Sequence, residues 1–491
     1  MISVKTEKEE FEYDIHAYVT SFFPGEEIKL LIGEDKADPV SDGMILYVSK
    51  EDRHASLKII SGNTIEKNAS YDLQSEQTLD EWLFKQELRL FFYDSLSDFT
   101  GKTLPWGAMI GVRPIKLIID MLKEYPDEEA LRSELYKSYR LEGRKAETGI
   151  RTARLEAGLL EPFSDGSGYS LYIGIPFCPS TCLYCSFTSY PYARFKNRIQ
   201  DYLNALHEEL KAVPEYTKGL RLDTVYIGGG TPTSLSADEL EVLFSYMSET
   251  LPMDSVKEFT VEAGRPDSIT EDKLKVMKRF NVGRISVNPQ TFKDETLKLI
   301  GRHHSSEDVK SAFKMARDAG FDNINMDMIL GLPGETLDDV KRSFEEAVKL
   351  SPDSLTAHSL AIKRASRMKK WIEEHGAVSG LAADKAMEAA YAAATQLDMK
   401  PYYTYRQKNM AGSLENTGFA KDGKYGLYNV VIMEEVQSIV ALGAGTVSKR
   451  VLPGKITRCD THKDVDLYIG NIHEMIERKR KLFDGDSDCD R

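Results

Sequence analysis

The sequence predicts an α/β fold: a partial (β/α)6 barrel with an N-terminal α/β domain and a mainly helical C-terminal extension. Three observations carry this. Short β-rich runs alternate with helical patterns through residues 166–365. The stretch EPFSDGSG (161–168) combines Pro, Ser, Asp and Gly, which is turn and linker chemistry, and sets residues 1–165 apart. Cys178, Cys182 and Cys185 crowd together directly after the first β-rich run.

Within residues 1–165, apolar runs at 44–48 and 57–60 read as strands of a small α/β region. From about residue 79 the pattern turns helical, with Trp82, Leu83, Leu88, Leu90, Phe91 and Phe92 at the apolar positions. Arg113-Pro114 breaks that run, and charged helices follow through Leu160. Beyond the linker, strands are expected at 171–175, 224–228, 258–263, 284–288, 324–330 and 354–360. Helical patterns separate them at 194–213, 237–249, 270–280, 305–319 and 337–350. In the first of these, Ile199, Tyr202, Leu203, Leu206, Leu210 and Val213 keep to one face at helical spacing. Right-handed crossovers then give a parallel sheet with helices outside it. Six such units are two short of a closed eight-fold barrel, so an open one is expected. Residues 366–491 form the extension. It holds a helix at 381–397, a Tyr-rich stretch (Tyr402, Tyr403, Tyr405), a Gly-rich turn at 443–445 and a terminal helix with a basic run at 478–481.

Composition narrows the function. The chain has 491 residues, 41% hydrophobic and 29% charged, which is globular and rules out disorder as the dominant state. Its net charge of −14 argues against a general nucleic-acid binder, whose affinity rests on Lys and Arg neutralising phosphates. No apolar stretch approaches the roughly 18 residues that cross a bilayer. The charged start (Lys5, Glu7, Lys8, Glu9, Glu10) lacks a signal peptide's apolar segment, so a cytoplasmic protein is expected. Five cysteines in so long a chain are no disulfide framework; Cys459 and Cys489 are scattered.

The clustered trio, Cys178-x3-Cys182-x2-Cys185, lies where parallel α/β folds put their chemistry, at the carboxyl end of a strand. Three thiolates on one loop can face a single centre. Zinc favours a closed tetrahedral set of Cys and His, yet residues 176–191 contain no fourth Cys and no His. Iron–sulfur clusters generally take four Cys, so three leave one iron without a protein ligand and open to substrate. Three unrelated thiols are the bland alternative.

The segment YIGIPFCPSTCLYCSF resembles the cluster loop of the radical S-adenosylmethionine (SAM) superfamily, and within it the oxygen-independent coproporphyrinogen III oxidase group. The runs GGGTPT (228–233) and GLPGET (331–336) stand where that group has them, and the likeness extends over residues 169–450. The long N-terminal region and PYYTYRQKNMAGSLEN (401–416) resemble the coproporphyrinogen dehydrogenase branch called HemZ. The resemblance implies a [4Fe–4S] cluster on Cys178, Cys182 and Cys185, whose open iron chelates SAM. It also implies SAM contacts from Tyr172, Gly229, Gly230, Thr231, Glu262, Gln290, Arg302, Asp327 and the backbone of Ala361. A tetrapyrrole substrate, coproporphyrinogen III, and an electron donor such as flavodoxin or ferredoxin are implied partners. Each residue also has a plainer reading: tight βα turns need Gly for backbone reasons, Glu262 and Asp327 suit helix caps, and Arg302, His303 and His304 suit a solvated loop.

Two departures stand out. Many oxidases of the group continue to a further Cys, where this chain has Phe187; the Phe form also occurs in the heme-chaperone branch. Asn288-Pro289-Gln290 replaces the group's Gly-Val-Gln, and Pro289 stiffens the backbone before Gln290. The basic run Lys363, Arg364, Arg367, Lys369, Lys370 follows the last strand on the site side, and fits either a carboxylate-rich substrate or a solvated helix start. The expected activity is decarboxylation of coproporphyrinogen III; a heme carrier or an anaerobic heme-opening enzyme are the alternatives.

Overall fold

The computed structural model describes residues 1–6, 12–32, 43–51, 53–62, 64–74, 81–111, 113–363, 366–376, 383–406 and 415–485. They form two compact units: residues 1–151 with 405–415, and residues 152–404 with 416–491. Where the sequence sets boundaries near 165 and 365, the first division falls inside a helix, and the C-terminal extension joins the barrel unit because its strands pair into the barrel's sheet.

The N-terminal unit starts with β1 (Ile2–Thr6), α1 (Glu12–Phe22), β2 (Ile28–Ile32), β3 (Met44–Glu51), β4 (His54–Ser61) and β5 (Thr64–Asp72). The sheet order is β2-β1-β3-β4-β5, with β1 parallel to both neighbours and the β3-β4-β5 meander antiparallel. Ile2, Val4, Leu46, Val48, Leu57 and Ile59 share one core with Tyr18, Val19 and Phe22 of α1. Phe84, Leu88, Phe91 and Phe92 of α2 (Glu81–Thr100) join it, whereas Trp82 and Leu83 are exposed at the helix start. Pro114 opens α3 (Pro114–Glu124), Asp127 caps α4 (Glu128–Tyr139), and α5 (Gly143–Leu160) follows. Residues 405–415 return to this unit. Arg406 donates to the Met109 carbonyl at 2.5 Å, and buried Glu415 accepts the Trp106 indole N–H at 3.0 Å and pairs with Lys145. Residues 407–414 of the Tyr-rich segment lie outside the described residues.

The barrel unit begins with β6 (Gly168–Ile175), the short β7 (Phe177–Cys178) and β8 (Tyr190–Pro191), α6 (Tyr192–Phe195) and α7 (Ile199–Tyr216). Then come β9 (Arg221–Gly229), α8 (Ala237–Thr250), β10 (Glu258–Glu262), α9 (Glu271–Arg279), β11 (Arg284–Ser286), α10 (Asp294–Leu299) and α11 (Ser306–Asp318). Next are β12 (Ile324–Leu330), α12 (Leu337–Leu350) and β13 (Ser354–Ser359). The extension supplies α13 (Met368–His375), α14 (Ala383–Gln396), β14 (Lys400–Tyr405), β15 (Asn416–Ala420) and α15 (Leu427–Glu434). It ends with β16 (Ser438–Leu442), β17 (Val447–Leu452), β18 (Lys455–Asp460), α16 (Val465–Gly470) and α17 (Ile472–Asp484).

β6, β9, β10, β11, β12 and β13 are parallel neighbours in that order, as six βα units require. The extension, expected to be mainly helical, also carries five strands among its described residues. β16 adds a parallel strand beside β6, and β15 adds an antiparallel one beside β13. Both edges of the six-unit barrel are thereby paired, and the open edges of the sheet move outward to β14 and β18. Among the described residues no helix is long and apolar enough to cross a membrane.

The barrel strands alternate in polarity. Leu171, Ile173, Val225, Ile227, Val261, Ile285, Met326 and Leu355 pack in the core with the helices. The intervening residues turn to the lumen and bond one another, as Thr224 to Ser170 at 2.8 Å and Thr356 to Asn325 at 3.2 Å do. Parallel strands buried on both faces are usually apolar throughout, and this barrel's inward-facing polar residues depart from that pattern. α15 plugs it from the extension. Glu258 accepts the N–H groups of Leu427 and Tyr428 at 2.6 and 3.2 Å and so caps α15, and the Tyr428 ring stacks 4.5 Å from Tyr226.

Candidate functional site at the carboxyl ends of the barrel strands

The cysteine loop is fixed at both ends and along its length. β7 and β8 pair Phe177 with Tyr190 and Cys178 with Pro191, closing its base. Ser180 Oγ donates to the Gly301 carbonyl at 2.8 Å, Leu183 N to Ile300 O at 2.9 Å, and Arg367 to the Thr181 carbonyl. The Gly-rich turn at 443–445 packs behind it: a Cβ on Gly445 would stand 2.9 Å from Thr188 Oγ1. Cys178 and Cys182 are buried and Cys185 is partly so. Burial pushes the Cys178 thiol up to about 11 and raises Cys185 as well, so ligation of a metal centre would release protons.

The turn after β9 closes on this loop. Gly229 sits at φ +107, in the left-handed region that only Gly enters without strain. A Cβ on Gly230 would lie 2.7 Å from the Phe177 carbonyl and 3.0 Å from Cys178 Sγ. Gly230 N donates to Ile175 O at 2.8 Å, Thr231 N to Phe177 O at 2.7 Å, and Thr231 Oγ1 lies 3.4 Å from Cys178 Sγ.

Acids and amides line the mouth. Tyr172 stacks on Tyr226 and Tyr428 at 6.1 and 6.2 Å. Tyr226 donates to Glu262 Oε1 at 2.5 Å, and Gly228 leaves room for that carboxyl. Burial, with Asp327 nearby, raises Glu262 to about 7 despite the Tyr226 bond. Asp327 accepts Asn325 Nδ2 at 2.8 Å and Asn288 Nδ2 at 2.9 Å, and His358 Nε2 stands 3.6 Å away. Burial works against the Asp327 carboxylate, but His358, Asn325 and Thr356 more than offset it and keep it below its usual value. Gln290 follows Pro289 with φ +66, and its backbone bridges to Asp327 O and Ile329 N at 3.0 and 2.9 Å. The kink thus places Gln290 in β12's hydrogen-bond ladder. Arg302 is buried, not solvated: Nη1 donates to Asn288 O at 2.6 Å, while Nε has no partner. Ala361 lies two residues past the end of β13, on the same side of the barrel.

Several neighbours were not singled out from sequence: Tyr226, Asn288, Asn325, His358, Arg265 and Tyr428. For those on strands, the signal is alternation within VYIG, SVN, NMDM and TAHS. His303 is exposed as expected, but His304 is buried 3.8 Å from Asp267. Tyr402 and Tyr403 are core residues, and Gly418 makes room for the Tyr403 ring. Of the basic run, Lys363 lies over the exposed Phe187 ring at 5.8 Å and Arg367 reaches the cysteine loop; Arg364 is outside the described residues. A cavity of about 890 Å³ opens at the opposite, amino ends of the strands. Of its cations, Lys424 pairs with Asp322, Arg279 with Glu241 and Lys257 with Asp223, and Arg284 donates to Asn323 Oδ1 at 2.8 Å, so we place the chemistry at the cysteine end.

The residues fit an iron–sulfur cluster with a small polar ligand. Among the described residues no three His, Cys, Asp or Glu side chains close on a single metal ion. That suits a cluster, in which each thiolate takes a different iron. The partnerless Arg302 Nε and the glycine cradle at 229–230 leave a donor and space beside it.

Comparison with known proteins agrees. The radical SAM superfamily model matches residues 172–347. The chain is 37% identical to the oxygen-independent coproporphyrinogen-III oxidase-like protein HemZ of Bacillus subtilis over 92% of this chain and 91% of that one. It is 40% identical to the heme chaperone HemW of the same organism, over 40% of this chain and 51% of HemW. In fold it resembles the coproporphyrinogen III oxidase HemN of Escherichia coli, with a TM-score of 0.51 at 21% identity, over 66% of this chain and 73% of that one.

Proposed function

Since the chain belongs to the radical SAM superfamily, and there to the oxygen-independent coproporphyrinogen-III oxidase-like family of HemZ, we propose that it decarboxylates coproporphyrinogen III. Two propionates become vinyls without O₂, giving protoporphyrinogen IX. The observation that carries this reading is the likeness to HemZ along nine-tenths of both chains; HemW matches only 40% of this one.

Members of the superfamily bind a [4Fe–4S] cluster and SAM, which together supply, when bound, the electron and the carbon radical that take a propionate hydrogen. The chain's residues hold and aim these groups. Cys178, Cys182 and Cys185 are the assigned ligands. Gly229, Gly230 and Thr231 admit the SAM amino-acid end close to the backbone. Tyr172 and Glu262 border it, Gln290, Arg302 and Asp327 take its carboxylate and ribose, and the Ala361 backbone meets the adenine. Lys363 and Arg367, both exposed beside the cysteine loop, suit the substrate's carboxylates in an otherwise acidic protein. A one-electron donor such as flavodoxin or ferredoxin would supply the electron for SAM cleavage, and the electron left on the substrate when CO₂ departs would pass to a separate acceptor.

One observation favours a second reading, a heme carrier. Phe187 is 70% exposed with Lys363 over its ring, a flat apolar surface beside a cation that suits a bound macrocycle. An anaerobic assay of reconstituted protein with SAM, reductant and coproporphyrinogen III separates the two. CO₂ release supports the enzyme; stoichiometric heme binding without CO₂ release supports the carrier.

A further inference from the structure

Arg265, on the turn after β10, is 3% exposed, and its whole guanidinium is engaged. Nη1 donates to Cys182 Sγ at 3.7 Å and to Ser180 O and Oγ at 3.3 and 3.2 Å. Nη2 also reaches Ser180 Oγ at 3.2 Å. Nε and Nη2 form a bidentate pair with Asp267 at 2.9 and 2.7 Å. His304 stands 3.8 Å behind Asp267, whose carboxylate is held well below its usual range by His304 and Arg265 despite burial. Arg302, also buried, acts on the same sulfur. The three thiols are therefore not equivalent. Cys178 faces the Thr231 hydroxyl and Cys185 the backbone N–H of Phe187, whereas two guanidiniums converge on Cys182.

We infer that Arg265 is a positioning residue for the iron–sulfur centre, which donates to the Cys182 thiolate and raises the centre's reduction potential, with Asp267 and His304 holding it in place. The inference rests on the reading that the three thiols bind a cluster. Reduction adds one negative charge, and a buried donor cation aimed at a ligand sulfur stabilises the reduced state more than the oxidised one. Asp267 fixes the direction of the guanidinium and damps its charge. Neutralising Asp267 thus acts opposite to neutralising Arg265. A purely mechanical role, pinning the loop through Ser180, predicts no such pair of signs.

The test uses the full chain, reconstituted anaerobically, with iron content and an EPR-monitored redox titration as readouts. Arg265→Gln is expected to keep about four irons and to lower the midpoint. At the wild-type midpoint its ratio of reduced to oxidised centre falls about tenfold, which is ~59 mV for one electron. Arg265→Lys recovers part of the shift, Asp267→Asn moves the midpoint the other way, and Ser180→Ala leaves it unchanged. Should Arg265→Gln lose its iron, the Asp267→Asn shift decides alone. A clustered protein whose midpoint ignores both Arg265→Gln and Asp267→Asn overturns this inference and leaves the cluster reading standing. A wild-type protein that takes up no iron overturns the cluster reading itself.

Discussion

Glu262→Gln replaces a carboxyl that the fold holds at an energetic cost by a neutral group of the same shape. Glu262 lies at the barrel mouth, accepts the Tyr226 hydroxyl at 2.5 Å and shares the lumen with Asp327. Burial raises it from 4.5 to about 7. A raised acid binds its proton more tightly in the folded state than in the unfolded one. Its contribution to stability is therefore complete below pH 4.5 and declines as pH rises to about 7, then stays constant. At about 1.4 kcal/mol per pH unit the total decline is ~3 kcal/mol. The Gln amide oxygen still accepts from Tyr226 but does not ionise. In urea unfolding of cofactor-free protein, the variant should be more stable than wild type by up to about 3 kcal/mol at pH 8.5, the gap closing to within ~1 kcal/mol at pH 5. A gap independent of pH would show that ionisation of Glu262 is not its source. Such a gain marks a group kept for binding at the expense of stability.

Cys178→Ala, Cys182→Ala and Cys185→Ala should each abolish iron uptake, read by iron content and visible absorption, while Cys459→Ala, buried in β18, and Cys489→Ala should not. Gly230→Ala sets a methyl against the Phe177 carbonyl and Cys178 Sγ and should cost about 1–3 kcal/mol in thermal unfolding, together with much of the cluster. Lys479→Met strands Glu209, fully buried between α7 and α17, and should destabilise by about 3–5 kcal/mol; adding Glu209→Gln should restore most of it.

The chemistry-bearing parts were legible because they are local. Three cysteines on one loop, a glycine run after the second strand and the βα alternation each lie within a few residues, and each stands where expected. What sequence left open depends on long-range pairing. SIVAL (438–442) is an ordinary apolar run until Ser438 aligns with Tyr169, more than 260 residues earlier, and covers a barrel edge. Tyr428 is one tyrosine among many until Glu258 caps its helix and turns its ring onto Tyr226. The pentad at 401–405 reads as one Tyr-rich stretch, yet Tyr402 and Tyr403 enter the barrel core while residues 405–415 belong to the other unit. Arg302 and His304 looked solvated because loop charges usually are; Asn288 and Asp267, which hold them inside, sit on other turns.

Under the proposed function the barrel mouth aims a bound SAM at a tetrapyrrole propionate, and we propose that Asp327, held by Asn288, Asn325 and His358, sets that aim. The most direct measurement is the yield of 5′-deoxyadenosine and CO₂ from coproporphyrinogen III by wild type and Asp327→Ala at matched cluster content, since misplacing a reacting group by about 1 Å costs on the order of 10²-fold. Wild type should form both products in a substrate-dependent way, and the variant should lose at least about 10²-fold of that yield. Wild-type protein that holds its cluster and SAM yet forms neither product, or a variant that forms both at the wild-type rate, would contradict it.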